Sequence, residues 1–198
     1  FDVIIFDLGV SSNQIDNPDR GFSFQNEGPL DMKMGSSTLN AYEIINSFDE
    51  TKLADIFFQF GEEKHSRKIA KNIIKDRAIK PIDNTIALSD IVKKSIPHSN
   101  TKNKIHPATK TFQALRIAVN KEIEVLEKFL QVVPEWLLPG GIISIISFHS
   151  LEDRLVKSCF KNDQRLKNLT KKPITPSEQE VELNKRARSG KLRIAQLN

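Results

Sequence analysis

Cysteine is almost missing from this chain: Cys159 is the single one among 198 residues. That excludes an internal disulfide framework and a cysteine-based zinc cluster, and it suits a reducing cytoplasm. Long hydrophobic runs are missing too. No stretch of 18 apolar residues occurs, so no membrane-spanning helix is available, and no signal or transit sequence is found. The nucleophile elbow Gly-x-Ser-x-Gly is absent, which removes the support for a Ser–His hydrolase built on His149 and Ser150. Histidines and carboxylates show no zinc spacing, so no metal is expected. There is no internal repeat and no low-complexity tract. Nor is charge of one sign in large excess. Lys plus Arg is 30 and Asp plus Glu is 25, a net charge of +5 that permits a polyanionic partner without demanding one. What is present fits a globular protein. Hydrophobic residues make up 38% and charged residues 28%, which argues against wholesale disorder. The length suits one full domain, or one domain with a small insert.

The chain begins at Phe1, not Met, and runs directly into Val3-Ile4-Ile5-Phe6. The expectation is a piece of a longer protein with an upstream part missing. Val3 to Phe6 and Ile142 to Phe148 read as strands covered on both faces, as in a parallel sheet. Between them, Phe112, Leu115, Val119, Ile123, Leu126, Leu130 and Val133 keep the helical period and predict one strong helix. A further helix is expected from Leu151 to about Phe160, with Glu152 and Asp153 in its first turn. The order strand, helix, strand, helix predicts an α/β architecture.

The stretch from Leu39 to Ser99 shows no convincing strand. Three helical stripes are present, at Leu53–Phe60 (closed by Gly61), at Ile69–Ile74, and at Leu88–Ile96 before Pro97. A parallel crossover needs only about a dozen residues. Residues 39–105 are therefore expected to be a helical insert, with 1–38 and 106–198 as the two parts of the surrounding α/β domain. Pro97 to Lys104 reads as the return linker. Lys161 to Thr175 is expected to be loop or partly ordered. Lys191 to Leu197 alternates with period 2, the mark of a half-exposed strand at an antiparallel edge.

Six segments carry candidate chemistry. Asp7-Leu8-Gly9-Val10-Ser11-Ser12, with Gln14 beyond, lies at a strand's carboxyl end, where open α/β sheets bind ligands. The competing reading is a plain turn with helix-cap serines. Phe22 and Phe24, with Met32 and Met34, occupy a Gly- and Pro-marked loop. They either stack a base or plug a joint, and the bland reading is preferred for the methionines. The basic run after Phe60-Gly61-Glu62-Glu63 reads first as a solvated helix face. In His106 to Arg116, Pro107 fixes the approach to a helix, and Lys110 and Arg116 lie where an RNA backbone could run. Ser147-Phe148-His149-Ser150-Leu151-Glu152-Asp153-Arg154 shares the edge of Asp7 if the strands are parallel. Finally, Lys185, Arg186, Arg188, Lys191 and Arg193 form a credible phosphate-binding strip, though charged edge strands also resist aggregation.

Singly these are weak. In order they closely resemble one family. Phe6-Asp7-Leu8-Gly9-Val10-Ser11-Ser12, Arg20-Gly21-Phe22-Ser23-Phe24, Gly28-Pro29-Leu30-Asp31-Met32, Gly61-Glu62-Glu63, His106 to Ala114, Ser147 to Arg154 and Lys172-Pro173 to Leu192-Arg193 look like the bacterial MraW/RsmH enzymes. The resemblance implies a Rossmann-like class I methyltransferase domain lacking its first strands, with an inserted helical substrate-recognition domain. It implies S-adenosyl-L-methionine as cofactor and the exocyclic N4 amine of a decoding-centre cytidine of 16S ribosomal RNA as target. The small ribosomal subunit is the implied partner. Phe60 stands where the family commonly has Tyr. The family's glycine-rich cofactor loop and ribose-holding acid find no match, so only Asp7 and Gln14 carry over as cofactor positions.

The cytosine N4 lone pair is delocalised into the ring, so an acceptor at the amine hydrogens and in-line placement supply the acceleration. Asp7 and His149 are the expected catalytic residues. Asp7 lacks the Pro-Pro-aromatic clamp of many amino methyltransferases, which leaves Phe22, Phe24 or His149 to stack a splayed-out base. Phe22, Phe24, Lys110, Arg116, Arg154, Arg186, Arg188 and Lys191 are the expected RNA contacts. The alternative is a non-catalytic RNA-binding or ribosome-assembly protein that has lost its cofactor loop.

Overall fold

The computed structural model describes residues 1–97 and 106–198, and the expected return linker falls outside these residues from position 98 on. In chain order the elements are β1 (Val3–Asp7), α1 (Ser12–Asp16), α2 (Ala41–Ser47), α3 (Glu50–Gly61), α4 (Ser66–Arg77), α5 (Thr85–Ser95), α6 (Thr109–Asn120), α7 (Glu122–Val132), β2 (Ile142–Ser147), α8 (Ser150–Asn162), β3 (Leu166–Asn168), α9 (Glu178–Leu183) and β4 (Lys191–Leu197). The chain divides into two compact units: residues 1–9 with 122–198, and residues 10–121. The described residues of the segment 39–105 lie in the second.

The first unit holds a four-stranded sheet in the order β1-β2-β4-β3. β1 and β2 are parallel, and β4 is antiparallel to both its neighbours, so β3 runs with β2. This mixed α/β sheet is consistent with a Rossmann-like domain. Leu126 and Leu130 of α7 and Val156 and Phe160 of α8 are buried with Ile143, Ile145 and Ala195 of the sheet, and Ile4 and Phe6 pack at the margin. Strand alternation puts Val3 and Ile5 on the opposite face, where they are 55% and 70% exposed. The expectation that β1 is covered on both faces is thus corrected: only its Ile4–Phe6 face is packed.

Two further expectations change. β4 is not an edge strand, because β3 pairs beyond it, from Leu166 opposite Leu197 to Asn168 opposite Ala195. Its middle residue Arg193 is accordingly buried. The segment 161–175, expected as loop, contributes the end of α8, then β3, then an isolated bridge from Ile174 to Leu192. A three-residue strand with one buried side chain, Leu166, gives no periodic signal.

The second unit is helical. Asn40 caps α2 in a reciprocal box with Glu43, Asp49 caps α3 and Asn84 caps α5, each oxygen accepting an otherwise orphaned N–H. Leu53, Phe57, Ile69, Ile73, Leu88 and Leu115 are fully buried in its core. A β-carbon on Gly61 would meet the Lys110 carbonyl oxygen at 2.5 Å, so glycine there lets α3 and α6 touch backbone to backbone. Leu30 and Met32 of the preceding loop are buried in the same core, and Met34 is half-buried.

The single long helix expected from Phe112 to Val133 is two. α6 ends at Asn120, and Lys121 adopts the left-handed conformation at φ 52°. The Asn120 amide nitrogen donates to the carbonyls of Met32 (2.8 Å) and Arg116 (2.9 Å), and its oxygen accepts from the Met34 N–H at 2.7 Å. These bonds stop the helix between Val119 and Ile123, where the apolar spacing runs on as if unbroken.

Candidate active site

In the first unit the candidate edge is set by parallel pairing. β1 ends at Asp7, in register with Ile146 of β2, and the Leu8 N–H donates to the Ile146 carbonyl at 3.1 Å. Gly9 then turns the chain out of the strand at φ 88°, a conformation that glycine adopts without strain. Asp7 is exposed and alternates with Val3 and Ile5, so it projects on the less covered face. β2 ends at Ser147, opposite Lys191, and leads into His149. Asp7 and the segment Ser147–Arg154 therefore share the carboxyl edge of the sheet.

His149 is tied down. It is the N-cap of α8, its ring Nδ1 accepting the Glu152 N–H at 3.4 Å. The Glu152 carboxylate accepts in return from the N–H groups of Phe148 (2.8 Å) and His149 (3.3 Å). Only 7% of the His149 side chain and 3% of the Glu152 side chain are exposed. His149 Nε2 is buried 3.2 Å from Glu152 Oε1, but outside hydrogen-bond geometry. Because Nδ1 spends its lone pair on the helix N–H, the neutral ring carries its hydrogen on Nε2. The imidazole thus orients the strand-to-helix corner.

One residue at this corner escaped the sequence analysis. Glu122, first residue of α7, brings a carboxylate oxygen to the cluster, and ligand atoms of Glu122, His149 and Glu152 lie within 4.8 Å of one another. A metal at His149 Nε2 would compete with the Nδ1 cap, because a neutral ring that accepts at Nδ1 carries its hydrogen on Nε2. No local spacing could reveal Glu122, because 27 positions separate it from His149.

Next to His149 the charge is paired across the sheet. Asp153 accepts from Arg193 Nε at 2.7 Å and from Lys191 Nζ at 3.3 Å. Burial works against its ionisation, but the hydrogen bonds from Arg193 and Lys191 outweigh it and hold its carboxyl below the ordinary 3.8. Of the expected RNA contacts in this unit, Arg154, Arg186 and Arg188 are exposed, and Lys191 is half-buried with its ammonium on Asp153.

The remaining sequence-predicted residues belong to the second unit. Gln14 lies in the first turn of α1, and its Oε1 accepts from the Ser11 N–H at 3.0 Å in a capping box. Phe24 is half-buried and stacked on His106, with ring centroids 4.4 Å apart, and it meets Phe112 edge-on. Burial, helped by the charge of Lys93, lowers the His106 pKa below 6.5. Phe22 is half-buried, with the Arg20 guanidinium 5.9 Å from its ring centre. Lys110 is exposed and donates to the Glu62 carbonyl at 2.9 Å, while Arg116 is half-buried in α6. Both rings are half-buried and pack against the core of their own unit.

Two parallel strands that end at one edge, one in a carboxylate and the next in a capped histidine, are consistent with a Rossmann-like α/β domain. The chain belongs to the MraW methylase family, whose model matches residues 1–198. It is 68% identical over 197 residues to a protein of Prochlorococcus marinus (strain AS9601) named ribosomal RNA small subunit methyltransferase H. That match covers 98% of this chain and 66% of the relative. A Synechococcus elongatus protein of the same name is 51% identical over 197 residues, covering 99% of this chain and 66% of the relative. The chain thus spans just under two thirds of the length of the curated relatives it matches.

Proposed function

We propose that the protein to which this chain belongs transfers a methyl group from S-adenosyl-L-methionine to the exocyclic N4 amine of a decoding-centre cytidine in 16S ribosomal RNA. The observation that carries this reading is the carboxyl edge itself. Asp7, exposed and acceptor-only, stands at the end of β1, one strand from the His149 corner. Family membership supplies the class of reaction, and the relatives' names supply the class of RNA.

The residues present fit the methyl donor in chemistry. Asp7 offers carboxylate oxygens to hydroxyl or ammonium hydrogens, and the Gln14 amide nitrogen offers hydrogens to an acceptor while its oxygen is held by Ser11. When bound, the donor supplies an electrophilic methyl on a sulfonium. The chain's own part is to bind and to orient. Asp7 would accept a hydrogen bond from the cytidine amine and so draw its lone pair out of conjugation; as the N–CH3 bond forms and the S–CH3 bond breaks to leave a neutral thioether, the amine's proton would pass to this carboxylate and on to solvent. His149 and Glu152 keep the strand-to-helix corner fixed so that the base is held in line. Phe22 and Phe24 supply rings that can stack a splayed base, and Lys110, Arg116, Arg154, Arg186, Arg188 and Lys191 supply cations for the phosphates. The helical unit that contains residues 39–105 acts in substrate recognition.

The test is methyl transfer to small-subunit RNA by the full-length protein, comparing wild type with Asp7→Ala and Asp7→Asn. Loss of one well-placed acceptor predicts a fall in kcat of about 10²–10⁴-fold for Ala. Unchanged turnover in both variants would remove Asp7 from the mechanism.

A further inference from the structure

Residues 175–190 leave the sheet and return to it at one point. Ile174 and Leu192 form an isolated antiparallel bridge, with the Ile174 N–H donating to the Leu192 carbonyl and the Leu192 N–H to the Ile174 carbonyl, both at 2.9 Å. Leu192 also pairs with Ile146, which pairs with Asp7. The root of this excursion is therefore level with the carboxyl edge of β1 and β2. Between its ends lie α9 and a 3₁₀ turn, Lys185–Ser189, and not one residue from 175 to 190 is buried. Each piece is closed by its own caps. Ser177 Oγ accepts the Glu180 N–H at 3.1 Å, Asn184 Oδ1 accepts the Arg186 N–H at 3.1 Å, and the Gly190 N–H donates to the Ala187 carbonyl at 2.7 Å. The excursion is an ordered arm that contributes nothing to the core.

Charge changes sign along it. Glu178, Glu180 and Glu182 are exposed on α9, and Lys185, Arg186 and Arg188 are exposed on the turn. The segment that precedes the arm adds to the basic side. Lys171 and Lys172 are exposed, yet their loop is pinned at both ends. Leu169 N–H donates to the Ile194 carbonyl at 3.0 Å, Thr170 Oγ1 accepts the Ile194 N–H at 2.9 Å, and Ile174 closes the other end. Lysines held on a fixed loop lose less freedom on meeting a polyanion than lysines on a loose one.

We propose that residues 169–190 form an RNA-backbone clamp at the active edge. In it Lys171 and Lys172 of the pinned loop and Lys185 of the arm bind phosphates alongside Arg186 and Arg188. The glutamates of α9 repel a polyanion, so the strand is held to the Lys185–Ser189 end of the arm. This inference deepens the proposed function and rests on it for the identity of the polyanion.

The test uses the full-length protein and small-subunit RNA. The triple variant Lys171→Gln/Lys172→Gln/Lys185→Gln removes three cations without touching a buried side chain. Each phosphate contact on single-stranded RNA contributes about 0.7 to the slope of log affinity against log salt, so the variant's slope should be shallower by about 2. Between 50 and 200 mM salt, that is roughly 20-fold less salt-induced loss of affinity. The KM for RNA should rise while kcat at saturating RNA holds. A second variant replaces residues 175–190 by a short turn between Ile174 and Lys191; it should keep the wild-type melting midpoint and methyl-donor affinity yet bind RNA more weakly. Wild-type slope and affinity in both variants would overturn the clamp alone. Failure of the wild type to bind RNA at all would overturn the clamp and the proposed function together.

Discussion

The pair that fastens α8 to β4 gives a sharp prediction. Asp153 sits in the first turn of α8 and holds Arg193 of β4 at 2.7 Å, with side-chain exposures of 13% and 5%. Arg193 Nη1 is already buried without a hydrogen-bond partner. Removing Asp153 would strand a buried guanidinium, and breaking a buried pair from one side costs about 3–5 kcal/mol. Lys191 is 39% exposed, so its ion pair adds little. We expect Asp153→Ala to cost about 3 kcal/mol, the low end of that range, and Asp153→Asn about half as much, since one acceptor oxygen survives. In a chain of this size each kcal/mol moves the melting midpoint by about 2–4 °C, hence about 6–12 °C for Ala. Equilibrium urea unfolding followed at Trp136, which lies in the same unit, reports the loss. The double variant Asp153→Ala/Arg193→Met should recover most of it, because the orphaned charge goes too. The sign in pH follows from the lowered carboxyl. The pair's contribution is complete above the ordinary value of 3.8 and is lost as pH falls below it through the folded value. A cost under about 1 kcal/mol for Asp153→Ala, or a double variant no more stable than the single, would refute the reasoning. The same turn carries His149 and Glu152, and β4 carries the root of the arm, so the alanine variant should also lower turnover.

Two further predictions concern the helical unit. Gly61→Ala puts a β-carbon 2.5 Å from the Lys110 carbonyl, and separating α3 from α6 should cost about 1–3 kcal/mol, read as a lower urea midpoint at unchanged slope. Asn120→Ala strands the Met34 N–H and the Met32 carbonyl, which should cost about 1–3 kcal/mol and raise amide hydrogen exchange over residues 32–34.

Much of the architecture was legible in one dimension. The stripes at Leu53–Phe60, Ile69–Ile74 and Leu88–Ile96 became α3, α4 and α5, because helices buried on one side must repeat their apolar residues at the helical period. The run Ile142–Phe148 after Pro139-Gly140-Gly141 became β2 for the same kind of reason. The order of motifs also pointed to the right family. The break at Lys121 was illegible because Val119 and Ile123 keep the helical spacing while the stop signal comes from Asn120 reaching Met32 and Met34, more than 80 positions away. β3 is too short to show a period, and β4 reads as an edge because its pairing with β3 is a long-range fact.

At the candidate site the division is similar. Asp7 and His149 could be named from the sequence, since each follows an apolar run, and the end of a strand is a local event. That both lie on one edge depended on β1 and β2 being parallel, which pairing alone decides. Composition fixed the amount of positive charge and the pattern of apolar residues fixed most helices, because these are properties of neighbours along the chain. Only folding decided that Glu122 meets His149, that Arg193 is buried against Asp153, and that Lys171 and Lys172 stand at the root of an ordered arm. Burial and hydrogen bonding act between groups that are close in space, and the order of residues along the chain does not record that closeness.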